Sequence, residues 1–284
     1  MIRQKSFENE KPTLYLVATP IGNLSEMTPR AVEILKSVNV IACEDTRTSG
    51  QMLKHFDIHN RLISYQNFNE ESSTHGIIGM LAQGQNIALI SDAGYPLIND
   101  PGQRVVSEAS ALGYNVVPVS GSSAVLNALV ASGLVAQPFL FVGFLPQSDT
   151  ERRRRLKEFA NYPMTLIFYE SPHRITRCLK SCLEILGDRR CVLAREMTKL
   201  HEEFIRGTVK EILEVSEELK GEMVIVMDGN KDDYRKDVDY SALINMVHER
   251  VASGMARSEA VREVASSAGI SRNRLYDLFH NRES

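Results

Sequence analysis

Asn86-Ile87-Ala88-Leu89-Ile90-Ser91-Asp92-Ala93-Gly94-Tyr95-Pro96-Leu97-Ile98-Asn99-Asp100-Pro101-Gly102 is the stretch on which the fold turns. Its apolar start, followed by small residues, glycines and prolines, predicts a strand that ends in a tight, rigid loop. In an open α/β sheet, ligands bind outside the carboxyl ends of the strands, where such a loop lies. Gly94 and Gly102 let backbone approach a ligand closely, and Pro96 and Pro101 reduce the freedom of the unfolded chain. Asp92 and Asp100 place carboxylates at the same mouth. The same residues also fit an ordinary turn, so the meaning of the loop depends on its neighbours.

Two further units repeat the pattern. Thr13-Leu14-Tyr15-Leu16-Val17-Ala18 reads as a strand running into Thr19-Pro20-Ile21-Gly22-Asn23-Leu24. A helix follows, with Thr28 as N-cap and Pro29 in its first turn. Asn115-Val116-Val117-Pro118-Val119 leads through Ser120-Gly121-Ser122-Ser123-Ala124 into a helical run from Val125. Three small-residue loops on one rim make a cleft. Strands are expected at 13–18, 38–43, 61–64, 86–90 and 115–119, alternating with helices, which implies a largely parallel sheet. Residues 139–142, 164–169, 191–194 and 223–227 give the strands of a second, mixed α/β part. Asn230 to Asp237 reads as a polar linker. Beyond it, Ser241–Val251, Ser258–Ala265 and Arg272–His280 read as helices, with Gly269-Ile270-Ser271 as a turn and Ser271 as an N-cap. The expected domains are 12–120, 121–230 and 238–284.

Composition narrows the class. The 284 residues are 43% hydrophobic and 24% charged, as in an ordinary soluble protein. No apolar run approaches the roughly 20 residues of a membrane helix, and no secretory signal follows the polar start, so a cytoplasmic protein is expected. The net charge of −3 makes the whole molecule no general polyanion binder. Local basic patches must carry any nucleic-acid contact, and Arg152-Arg153-Arg154-Arg155 is one, although the run also fits a solvated helix start. Cys43, Cys178, Cys182 and Cys191 have no Cys-x-x-Cys spacing, and Cys178 and Cys182 share a helix face that suits core packing. His55 and His59 have the i, i+4 spacing of metal helices, but no acidic partner completes a recognisable motif, so no metal site is expected. Walker A, nucleophile-elbow and dinucleotide-fingerprint patterns are missing.

Ala18-Thr19-Pro20-Ile21-Gly22-Asn23-Leu24, Glu44-Asp45-Thr46-Arg47, Ser91-Asp92-Ala93-Gly94 and Asp100-Pro101-Gly102 resemble, in order, the tetrapyrrole-methylase superfamily. Within it they are similar to the ribosomal RNA small subunit methyltransferase I family. Tyr169-Glu170-Ser171-Pro172-His173-Arg174, Ala194-Arg195-Glu196-Met197-Thr198-Lys199 and Gly221-Glu222 fit the same family. The likeness runs through residues 12 to 228 and includes the tail. Tyr95 departs from the family's usual Thr or Met, and Ser120 and Ser122 replace its usual prolines.

The resemblance implies two α/β domains of the tetrapyrrole-methylase type, a cofactor cleft between them, and a small helix-turn-helix-like C-terminal domain. It implies S-adenosylmethionine-dependent methylation of the ribose 2′-hydroxyl of a decoding-centre cytidine in 16S rRNA, within the 30S subunit, by a homodimer. In-line transfer of an activated methyl group is a positioning problem, for which effective molarities reach about 10⁵–10⁸ M. Cofactor contacts fall on Pro20, Ser91, Asp92, Ala93, Gly94, Pro96, Ser123, Ala124, Tyr169 and Ala194. Asp45, Asp100 and Glu170 are the candidate general bases. Arg47, Arg152, Arg153, Arg174, Arg195, Lys199, Arg272 and Arg274 are the candidate RNA contacts. Salt bridges between loops, and a three-helix cap resting on Val261, Val264, Ile270, Leu275 and Leu278, account equally for the charged residues and the tail. Residues 240–284 hold six basic against five acidic residues, a weak basic bias. A small-molecule tetrapyrrole methylase and a ligand-sensing DNA-binding regulator are the rival classes.

Overall fold

The computed structural model describes residues 3–6, 8–230, 239–268 and 272–280. The chain forms two compact units, Met1–Gly229 and Asn230–Ser284. The first unit contains two five-stranded sheets. β1 (Thr13–Val17), β2 (Val40–Cys43), β3 (Arg61–Ser64), β4 (Ile87–Ile90) and β5 (Asn115–Val119) build one of them in the order β3-β2-β4-β1-β5. All its neighbours are parallel. Every residue of β2 and β4 is buried, as expected of strands covered on both faces. Helices α1 (Pro29–Ser37) and α2 (Thr46–His55) cover one face, and α3 (Glu70–Ala82) and α4 (Gln103–Ala111) the other. α1 starts where the sequence places it, with the Thr28 hydroxyl accepting the Ala31 N–H at 3.1 Å and Pro29 opening the helix.

The second sheet contains β6 (Phe139–Phe144), β7 (Thr165–Glu170), β8 (Arg190–Arg195), β9 (Glu203–Thr208) and β10 (Met223–Met227). Its order is β6-β7-β10-β8-β9, parallel between β6 and β7 and antiparallel elsewhere. Helices α6 (Asp149–Phe159), α7 (Ile175–Leu186) and α8 (Val209–Val215) pack on one face, around Phe168, Leu179, Leu193 and Ile225. α5 (Ala124–Ser132) packs on the opposite face through Val125, Ala128 and Leu129. The helix that follows the last strand of the first sheet thus covers the second. This crossover sets the carboxyl-end loops of the first sheet beside the second sheet. All four cysteines are buried and unpaired, Cys43 in the first sheet and Cys178, Cys182 and Cys191 in the core of the second part.

β9 was not expected from the sequence. Glu203-Phe204-Ile205-Arg206-Gly207-Thr208 carries charges and a glycine, and as an edge strand it buries only part of its surface, so its alternation is weak.

In the second unit, α9 (Tyr240–Ala252), α10 (Arg257–Ser267) and α11 (Arg272–His280) enclose a core of Ile244, Val247, Val261, Val264, Leu275 and Phe279. Leu278 packs against it. The expected turn Gly269–Ser271, Ile270 within it, and the linker over residues 231–237 lie outside the described residues. No helix among the described residues is long and apolar enough to cross a membrane.

Ile225 is fully buried in the central strand of the second sheet, whereas Thr28 caps a surface helix. Ile225→Ala is expected to cost about 2–5 kcal/mol in urea denaturation and Thr28→Ala about 1 kcal/mol. The reverse ranking would place the stabilising core elsewhere.

Candidate cofactor and substrate cleft

Three loops at the carboxyl ends of β1, β4 and β5 are bound to one another, the first two through backbone. The Thr19 N–H donates to the Gly94 carbonyl at 2.9 Å, and the Gly94 N–H returns to the Thr19 carbonyl at 3.0 Å. The Ser91 hydroxyl donates to the same Gly94 carbonyl at 3.0 Å, and the Thr19 hydroxyl to the Ser91 carbonyl at 3.0 Å. Gly94 sits at φ +81, a left-handed conformation that a side chain would strain. Gly121 on the third loop lies so close to the first that a Cβ there would come within 2.8 Å of the Ala18 Cβ. Its N–H donates to the Tyr95 hydroxyl at 3.2 Å, so the residue that departs from the family pattern ties the second loop to the third.

Against these loops the second sheet presents its own rim, and the two enclose a cavity of about 660 Å³. That volume lies within the range of sites for small ligands. Ile21, Ile98, Phe144, Tyr169, Met197 and Val224 give it apolar walls. The Phe144 and Tyr169 rings meet edge to face at 5.5 Å. Backbone strain collects here. Of the five described non-glycine residues with positive φ, Leu97, Asn99, Glu196 and Thr198 all lie in the two loops that face across the cavity. Strain of this kind persists only where surrounding contacts over-determine it, and it clusters at functional sites.

The electrostatics divide the site. Burial pushes Asp100 up to about 6, helped by the negative charges of Glu44 and Asp92. Partial burial also raises Asp92 and Glu44, each further opposed by neighbouring carboxylates. Tyr169 is pushed up to about 12 by burial and by Asp100. On the opposite side, burial works against a charged Lys199, but bonds to Glu222 at 2.9 Å and Glu196 at 3.0 Å outweigh it and raise the ammonium. One flank is rich in carboxylates and the other is held by an ion-paired lysine.

The chain matches the tetrapyrrole (corrin/porphyrin) methylases over residues 13–213. It is 42% identical to ribosomal RNA small subunit methyltransferase I of Halalkalibacterium halodurans, with 99% of each chain covered. The chain belongs to this methyltransferase family. It is 41% identical to the namesake from Bacillus subtilis, with 98% of each chain covered. Among solved structures, a diphthine synthase aligns with TM-score 0.61 at 12% identity, covering 77% of this chain and 90% of that one. A uroporphyrin-III-C-methyltransferase from Thermus thermophilus aligns with TM-score 0.54 at 18% identity, covering 77% and 94%. At these identities the two structures support the tetrapyrrole-methylase fold and nothing finer.

Of the residues that the family resemblance assigns to the cofactor, Asp92, Ala93, Gly94, Ser123, Ala124 and Tyr169 line the cavity. Pro20, Ser91, Pro96 and Ala194 are buried outside that lining, and Ala194 pairs with the lining residue Val224. Asp100 lines the cavity. Glu170 also reaches it, but its carboxylate is buried and accepts from the Ser171 N–H at 2.8 Å and from Arg174 at 3.2 Å. Asp45 is the N-cap of α2, accepting the Arg47 N–H at 2.8 Å, and this bond and the Arg47 guanidinium hold its carboxyl below the usual range.

The candidate RNA contacts separate in the same way. Arg47 is exposed and Lys199 lines the cavity. Arg174 donates to the Leu145 carbonyl at 2.5 Å besides its pair with Glu170, and Arg195 pairs with Glu203. Arg152 corrects the reading of the arginine run. It is only 4% exposed, donating to the Ser181 hydroxyl at 3.0 Å and the Gln147 carbonyl at 3.1 Å, so it cannot meet a phosphate. Arg153 stays at the surface, paired with Asp149 and Glu184. Arg272 is exposed on α11, and the side chain of Arg274 lies outside the described residues. Among the described residues no three His, Cys, Asp or Glu side chains cluster to hold a metal.

Sequence reading missed Asn99, Phe144, Met197 and Val224 as lining residues. Met197 lay inside a quoted motif, but Phe144 and Val224 carry only ordinary strand signals. Tyr95→Phe leaves the Gly121 N–H without its partner and is expected to cost about 1–3 kcal/mol by thermal denaturation. An unchanged transition would mean that the third loop is held by other contacts.

Proposed function

We propose that the protein transfers a methyl group from S-adenosylmethionine to the ribose 2′-hydroxyl of a decoding-centre cytidine in 16S rRNA. The observation that carries the reading is the three-loop cavity in a chain that aligns end to end with small-subunit rRNA methyltransferases. The reading extends to a cytoplasmic homodimer that acts on the 30S subunit. In it, residues 12–120 and 121–230 are the methylase domains, and 238–284, through Arg272 and Arg274, contacts RNA.

The residues fit a cationic, partly apolar cofactor. Asp92, Asp100 and Glu44 repel one another, and among the described residues none of them has a cationic partner at ion-pair distance, so a positive ligand relieves a standing cost. The sulfonium supplies an already activated methyl group, so no protein nucleophile is required. What remains for the protein is alignment and removal of the hydroxyl proton. Ile21, Phe144, Tyr169 and Met197 give the cavity an apolar end for the uncharged part of such a ligand. Gly94 is fixed by the Thr19 pair, and the backbone of Asp92 and Ala93 before it runs along one edge of the cavity.

Asp100 is the base in this proposal. Asp45 is held low by its bonds to Arg47, and Glu170 is consumed by Ser171 and Arg174. A carboxyl near 6 is ionised at neutral pH yet basic enough to accept a proton in the transition state, an advantage of about 10²–10⁴-fold. As pH rises through about 6, Asp100 loses its proton, so the rate is expected to rise through that value and level off. Asp100→Asn should lower kcat and abolish that limb; a retained limb assigns it to another group. For folding, the sign is opposite. The native state binds the extra proton between the usual carboxylate range and about 6, so this contribution to stability fades as pH rises through that window.

The decisive test is transfer of labelled methyl from S-adenosylmethionine to 30S subunits lacking native modifications, with nuclease mapping. Label in an alkali-resistant dinucleotide establishes a 2′-O-methyl group, whereas transfer only to a tetrapyrrole precursor overturns the proposal. Asp92→Ala should weaken cofactor binding measured by calorimetry, while Arg272→Ala should weaken only RNA capture. Equal loss of cofactor affinity in both contradicts that division of labour.

A further inference from the structure

Phe68 is 85% exposed, and no other phenylalanine or tyrosine among the described residues is so open to solvent. It stands in the short turn Asn67–Asn69 just past the carboxyl end of β3. An exposed aromatic on a loose loop means little. This one is held on both sides. Gln66 donates its side-chain amide to the Glu44 carbonyl at 2.8 Å, and its N–H to the Asn69 side chain at 2.8 Å. On the other side Glu70 accepts the Gly102 N–H at 3.1 Å and the buried Tyr65 hydroxyl at 3.2 Å. The turn is therefore tied to the Asp45–Arg47 corner and to the end of the Asp100 loop. With β3 two positions from β4, and strands about 4.8 Å apart, its root stands roughly 10 Å from the strand that feeds the cavity.

We infer that Phe68 is a stacking platform for an unpaired base of the substrate RNA, beside the nucleotide that enters the cavity. The inference rests on the proposed RNA substrate and adds to it a named recognition residue. Bases splayed out of a strand are held on aromatic faces next to guanidinium groups. Arg47, whose side chain is 89% exposed and paired with Asp45, stands in the first turn of α2, three residues after the Glu44 to which the Phe68 turn is tied. The sequence around Phe68 is polar, with exposed Asn67, Glu71 and Ser72, so it offers a single aromatic rather than the continuous apolar patch of a protein interface.

The chain contains no tryptophan, so Phe68→Trp introduces a single fluorophore at this position. Titration of that variant with single-stranded dodecacytidylate at low salt is expected to quench its emission, and a duplex of equal charge is expected to leave it unchanged. In steady-state methylation of unmodified 30S subunits, Phe68→Ala should raise KM about tenfold, with kcat, cofactor affinity and melting temperature unchanged, and Phe68→Tyr should restore KM. A KM for 30S unaffected by Phe68→Ala overturns the inference, as does a change of oligomeric state in that variant, which would assign Phe68 to a protein contact. Failure of the wild-type protein to methylate 30S overturns the proposed function instead. The quenching titration then decides stacking by itself.

Discussion

The reciprocal backbone pair between Thr19 and Gly94 is the constraint on which the site depends. Loops after neighbouring parallel strands have no ladder to hold them together, because the sheet's hydrogen bonds stop where the strands stop. A two-bond antiparallel bridge beyond β1 and β4 restores that order at the edge of the cavity. It requires the second loop to reverse within a few residues, which the left-handed backbone at Gly94 permits. Once Gly94 is fixed, Asp92 and Ala93 have one path along the cavity edge, and Tyr95 is set to receive the Gly121 N–H. The floor of the cleft is thus made of backbone, and its charge is added by Asp92 and Asp100 at the margins.

The opposite wall follows from the crossover of α5. Ser123 caps this helix, accepting the Leu126 N–H at 3.4 Å, and lines the cavity. The body of the helix lies against β8 and β10. One short segment therefore closes the third loop of the first sheet and covers the second sheet. The strained Glu196 and Thr198 continue the same economy, since the turn that carries them brings Met197 and Lys199 to the cavity together. Lys199 is fixed by two carboxylates, so the cationic flank is stiff where the acidic flank is electrostatically unsatisfied.

Most of the architecture was legible because β-prone runs bounded by turn residues read as strands. β3, β5 and β10 have the bounds expected from composition and turn residues alone. The Thr28 cap was legible for the same local reason. β9 was not, because its charges and glycine break up the apolar pattern of the strand. The site was readable through its glycines, prolines and acids, which mark Asp92 to Gly94 and Asp100. Phe144 and Val224 were not, because strand ends become walls only through the pairing of distant segments. Arg152 shows the converse error. A run of four arginines reads as surface, but the 3.6-residue helical period turns one of the four inward, where Ser181 and the Gln147 carbonyl receive it.

The burial of every cysteine has a kinetic meaning. A sulfhydryl reacts as the thiolate, and burial raises Cys43 and Cys191, so neither solvent access nor ionisation favours attack in the folded state. Alkylation must wait for local opening, and its rate then reports how often that opening occurs. Cys43 ends β2 in the first sheet, while Cys191 stands on β8 in the second. Each half of the catalytic unit carries its own chemical clock, and any coupling between the two sheets is written in whether those clocks run together.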